Sequence, residues 1–168
     1  MAGVTKSQLN LKINIYRIIR YGLIALLVVI VIIMLSGKKE SSASFESVSA
    51  AVSGSITTQK AVLNSDRYLK KYFGLNAEEY DGVLIYTPAT NMYANEVLLI
   101  KLKDRSQADA AAAAIEERIE SQRTIFSGYA PDAVGLLENA VLDVQGNYIL
   151  YITDDQADRV DEVFRNSL

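Results

Sequence analysis

From Tyr21 to Leu35 the chain runs YGLIALLVVIVIIML without a charged residue, with Arg17 and Arg20 before the run and Lys38 and Lys39 after it. Counted through Ser36 and Gly37, the uncharged stretch covers about 26 Å at roughly 1.5 Å per residue. Arg20 can snorkel to close the gap to a hydrocarbon core of about 30 Å. The pattern therefore predicts a transmembrane helix over residues 21–37, behind a basic cytoplasmic segment over 1–20. Residues 38–44 are small and polar and read as a short tether. The remainder, 45–168, has the length of one extracytoplasmic domain with its own core.

Within that domain the apolar period alternates between helix and strand. Phe45, Val48, Val52 and Ile56 keep helical spacing behind Ser44 as N-cap, and residues 65–73 make a second helix stopped by Gly74. Residues 82–87 and 96–103 then alternate as strands around a loop with Pro88 and Asn91. Ser106, with Asp109 three residues on, reads as a capping box for a long Ala-rich helix whose stripe is Ala108, Ala112, Ile115, Ile119 and Phe126. Pro131 opens a short helix, residues 141–144 and 148–153 flank a turn at Gly146, and Asp154 or Asp155 caps a last helix. This order predicts an α+β domain with a four-stranded antiparallel sheet in ββαββα order and helices packed on one face.

Charge divides the chain. All 20 acidic residues lie from Glu40 onward, whereas Lys6, Lys12, Arg17 and Arg20 precede the apolar run with no acidic neighbour. Counting Lys and Arg near the helix ends places the N-terminus inside and the domain outside a cell membrane, crossed once. A cleaved signal peptide is the rival, with Ser41, Ser42 and Ala43 as small residues at a cut site, although Lys38, Lys39 and Glu40 suit it badly. Leu35, Ser36 and Gly37 look like the start of a lipoprotein box, but Lys38 stands where its cysteine would be. An acidic outer domain is a poor partner for nucleic acid.

The chain has no His, Cys or Trp. That removes imidazole and thiolate chemistry and the metal sites built from them, so neither cofactor nor metal is expected and the domain reads as non-enzymatic. The one S-x-x-K, Ser36 to Lys39, lies at the membrane boundary where no pocket can form. Asp154, Asp155, Asp158, Asp161 and Glu162 lack the pattern of a calcium loop and read as helix capping and a solvated face. Glu96 shares a strand face with Leu98, Ile100 and Leu102, and a carboxylate opening an apolar row wants a partner. Arg118 is the candidate, and Gln122 could join them in a structural polar network. Tyrosine is enriched, ten against four Phe. Tyr86, Pro88, Met92 and Tyr93 cluster at and beyond one strand end and form the candidate contact surface.

A family resemblance is carried by Tyr72, Phe73, Gly74 and Leu75, then Tyr80, Tyr86, Pro88, Met92, Glu96 and Lys101, then Arg118, Gln122, Tyr129 and Pro131, and last Gly146, Asn147 and Tyr148. This spaced set resembles the domain of unknown function 4358 family over roughly residues 45–164. The resemblance implies an extracytoplasmic domain of Gram-positive bacteria, membrane- or lipid-anchored, and supplies no activity. The chain departs from the lipoprotein members by carrying an apolar helix where they carry a lipid. Three readings follow: an accessory domain binding another envelope protein, a module binding cell-wall glycan or peptide, and a carboxylate-dependent hydrolase using Glu96.

Overall fold

The structure is a computed structural model that describes residues 6–35, 40–56 and 59–168, and within the first helix the side chains of residues 16–31. The chain divides into two compact units, Met1–Lys38 and Lys39–Leu168. In the first, α1 (Lys6–Leu35) is a single helix whose apolar residues from Tyr16 to Val31 are exposed all round. No helix among the described residues is long and apolar enough to cross a membrane. The span expected over 21–37 is corrected accordingly. Its uncharged part on α1 covers only about 22 Å at 1.5 Å per residue, and residues 36 and 37 lie outside the described residues.

The second unit is built on a five-stranded antiparallel sheet, not the four strands expected, in the order β1-β2-β3-β5-β4. The strands are β1 (Ala61–Leu63), β2 (Tyr80–Pro88), β3 (Glu96–Leu102), β4 (Val141–Gln145) and β5 (Tyr148–Thr153). The additional strand is β1, three residues pairing Ala61 with Pro88 at the sheet edge. So short a run shows no alternation, and Val62 and Leu63 are exposed, so no apolar period marks it in the sequence.

Helices cover both faces, which corrects the one-sided packing expected. On one face α3 (Asp66–Phe73) and α4 (Ala108–Phe126) lay Leu69, Phe73, Ala111 and Ile115 over Ile85, Leu98, Ile100 and Tyr151. On the other, α2 (Phe45–Ser55) and α6 (Ala157–Asn166) lay Val48, Val52, Val160 and Phe164 over Val97, Leu99, Leu150 and Ile152. The central strands carried the signal. Val97 to Ile100 and Tyr148 to Ile152 are apolar at successive positions, as strands buried on both faces must be. A third, smaller cluster of Ala94, Phe126, Ala133 and Leu137 seats α5 (Pro131–Glu138) and the end of α4 against the β2–β3 loop.

Local chemistry sets the boundaries. Ser44 caps α2 by accepting from the Ser47 N–H at 3.2 Å, and Gly74 ends α3 at φ 69°, where a Cβ would be strained. The cap before α4 is Asp104, not Ser106. Asp104 accepts from the Ser106 N–H at 2.8 Å, while the Gln107 side chain accepts from the Asp104 N–H at 3.1 Å, and the 3-10 turn Arg105–Gln107 leads into the helix. The buried stripe of α4 is Ala111, Ile115, Arg118, Gln122 and Phe126, rotated from the one expected because Arg118 and Gln122 face inward.

The expected tether is shorter than 38–44. The Ser41 N–H donates to Asn147 Oδ1 at 2.9 Å, and the Ala43 carbonyl accepts from Tyr148 Oη at 2.9 Å and Lys101 Nζ at 3.0 Å. Residues 41–43 are therefore docked onto the domain at the end of β3 and the β4–β5 turn.

Candidate functional site

Two polar features stand out, one closed and one open. The closed one is the pair Glu96 and Arg118. Strand parity points Glu96 from the first position of β3 into the α3/α4 face, and helical period brings Arg118 of α4 over it. Glu96 and Arg118 are 1% and 7% exposed, and they meet as a fork: Arg118 Nη2 to Glu96 Oε1 at 2.5 Å and Nε to Oε2 at 3.2 Å. Tyr68 Oη donates to Oε1 at 2.9 Å and Tyr151 Oη approaches Oε2 at 3.4 Å. The guanidinium lies 4.7 Å from the centre of the Tyr72 ring and 5.8 Å from that of Phe73.

Burial pushes the Tyr68 and Tyr151 phenols well above their ordinary value, and the Glu96 charge adds to it. For Arg118 burial alone would favour the neutral form; the hydrogen bond and charge of Glu96 outweigh it and hold the guanidinium above its usual value. Gln122 is buried one turn further along α4, but among the described residues no hydrogen bond joins it to the pair.

The open feature is a cleft of about 1300 Å³ where the β2–β3 loop, the α4–α5 connection and the β5–α6 loop converge. Met92 and Tyr93 line it from the first, Tyr129 from the second with Asp132 from the first turn of α5, and Asp154 and Asp155 from the third, and Lys60 and Arg159 also line it. Asn95 forms part of its wall and is 1% exposed; its Nδ2 donates to Asp154 Oδ2 at 2.9 Å, and its Oδ1 is buried with no hydrogen-bond partner. Lys60 is held by Asp155 at 2.9 Å. The cleft lies at the end of the sheet where β3 begins and β5 ends. Residues 41–43 join the domain at the other end, beside Lys101 and Asn147. Among the described residues no group of three or more acidic side chains is placed to hold a metal ion.

Residues 53–154 match the family model described as Domain of unknown function (DUF4358). The chain belongs to that family. No curated protein and no solved structure matches it. The DUF4358 segment takes in all five strands, the Glu96–Arg118 pair and every cleft residue named above up to Asp154, while α6 lies beyond it.

The candidate contact residues part company in this DUF4358 domain. Met92 and Tyr93 line the cleft, at 59% and 39% exposed. Tyr86 is instead half-buried against the α2/α6 core, because its strand position points it to that face, and Pro88 is taken up in the β1–β2 ladder. The acidic run also divides: Asp154, Asp155 and Asp158 reach the cleft, whereas Asp161 joins Asp143 of β4 through Arg165, at 2.9 and 2.8 Å. Sequence reading missed Asn95, Tyr129 and Lys60 as cleft residues. They come from segments far apart in the chain and share no motif.

Proposed function

We propose that this chain is a non-catalytic interaction module of the bacterial cell envelope, held at a membrane by its N-terminal apolar segment with the DUF4358 domain on the outer side. The domain takes a protein partner in the cleft. The observation that carries this reading is the cleft itself, where the exposed Met92, Tyr93 and Tyr129 gather at the end of the sheet opposite the one where residues 41–43 join the domain. The exposed apolar residues of α1 and the basic residues on both sides of them support the attachment. The Gram-positive extracytoplasmic setting is the one the sequence resemblance implies. A carboxylate hydrolase would need Glu96 open to substrate with a second carboxyl about 5 to 9.5 Å away. Both Glu96 oxygens are instead turned inward onto Arg118 and two tyrosines.

Because the chain has no cysteine, one substitution tests both halves of the reading. Met92→Cys in intact producing cells should react with a membrane-impermeant maleimide carrying a benzophenone, and irradiation should give one discrete protein adduct, identified by mass. A thiol that reacts only after lysis contradicts the outer placement. A glycan adduct moves the cleft to the wall-binding reading, and labelled cells that give no adduct remove the cleft as the contact surface.

A further inference from the structure

Resting on the reading of the cleft as the contact surface, we infer that it recognises a primary ammonium, and that its occupant is a lysine-bearing peptide segment of the partner. The orphaned oxygen of Asn95 is the starting point. Its amide cannot be turned round to satisfy Oδ1, because Nδ2 faces the Asp154 carboxylate at 2.9 Å and only a donor belongs there. A buried carbonyl oxygen left without a donor is costly, and a donor arriving with the ligand relieves that cost. Asn95 lies two residues beyond the exposed Tyr93, behind the buried Ala94, and forms part of the wall of the cleft, so its amide stands beside the space a ligand would fill.

The charges around it say what kind of donor. Asp132, Asp154, Asp155 and Asp158 stand against Lys60 and Arg159, and Lys60 is already held by Asp155. The surplus is negative, so the donor is a cation. Asp154 selects between the two cationic side chains. Its Oδ2 accepts from Asn95 and its Oδ1 accepts from the Gln156 N–H at 3.0 Å, so no open pair of oxygens is offered to a planar guanidinium. The remaining lone pairs suit a compact ammonium with three freely rotating donors.

The size of the cleft and its apolar wall say what carries the ammonium. A volume of about 1300 Å³ exceeds the range of about 300–1000 Å³ usual for single small molecules, and Met92 and Leu136 offer flexible apolar surface of the kind that accommodates peptide side chains.

The test is fluorescence anisotropy with the full-length chain in lipid nanodiscs and fluorescein-labelled acetyl-Lys-Tyr-Lys-Leu-Lys-amide. Saturable binding is expected, falling as salt is raised. Asp132→Asn combined with Asp158→Asn, both on exposed rim positions, should weaken it about tenfold. Asn95→Leu should abolish it, and the rim pair keeps the proposal testable if that variant does not fold. Equal or tighter binding of the arginine analogue overturns the ammonium reading. Binding of the glutamate analogue overturns the charge argument, and displacement of the probe by chitin oligosaccharides overturns the peptide. If Met92→Cys captures a protein in cells while the lysine peptide does not bind, the contact surface stands and the ammonium inference falls.

Discussion

Glu96 is met by four donor groups inside the α3/α4 core: two from Arg118 and one each from Tyr68 and Tyr151. A carboxylate so enclosed is stable only while its counter-charge is present. Arg118→Ala should destabilise the domain by about 3–5 kcal/mol, since it leaves a buried charge unpaired. An unchanged urea midpoint would contradict this. Changing both partners together, Glu96→Leu with Arg118→Met, should cost much less. The tyrosines add an alkaline signature. Burial first, and the Glu96 charge second, raise the folded-state pKa of Tyr68 above its unfolded value. Their stabilising contribution is therefore complete below about pH 10 and is lost as pH rises, because the unfolded chain releases the proton that the folded one retains. Tyr68→Phe should flatten the decline of the urea midpoint as pH is raised above about 10. The Glu96 and Arg118 pairing was legible because strand parity and helical period are local. Tyr68 and Tyr151 were not, since they arrive from α3 and β5, whose approach no local period encodes.

Among the elements, β2 and α2 show how closely a helix can settle on a strand. The Phe45 ring lies so near Gly82 that a Cβ there would stand 2.4 Å from Phe45 Cγ. Gly82 also sits at the irregularity in the β2–β3 pairing next to Tyr80. Gly82→Ala should displace Phe45 and cost about 1–3 kcal/mol in thermal unfolding. In a Phe45→Leu background the added cost should shrink, and strict additivity would show that the two do not compete for space. The element boundaries were mostly readable. Ser44, Gly74, Pro131 and Gly146 carry backbone chemistry that acts within a few residues. The capping box ahead of α4 escaped because Ser106 and Asp104 offer similar patterns two residues apart, and Asp104 caps the 3-10 turn that leads into the helix. The 3-10 turn that decides between them is anchored in part by the Gln107 side chain donating to the Glu79 carbonyl at 2.9 Å, a contact from another part of the chain.

At the scale of the molecule, the domain has two poles with different tasks. One receives the chain, with Ser41 on Asn147 and Ala43 on Tyr148 and Lys101; the other holds the cleft. If the first pole is part of the folded unit, a chain beginning at Phe45 should be less stable than one beginning at Glu40 by about 1–3 kcal/mol, the cost of groups left without partners. Equal urea midpoints for the two would show residues 40–44 to be a passive linker.

From its sequence alone this chain determined that an apolar, basically flanked N-terminal segment precedes an acidic α+β domain of antiparallel hairpins, without imidazole or thiol chemistry, and that Glu96 would need a cation. Those features depend on period, charge and residue type, which act locally or sum over the chain. Only the tertiary structure decided that helices cover both faces of the sheet, that a fifth strand closes one edge, and that Met92, Asn95, Tyr129 and Asp154 share one cleft. These depend on which distant segments meet. That is fixed by burying the continuous apolar runs of β3 and β5 between two layers of helix, and no spacing along the chain records it.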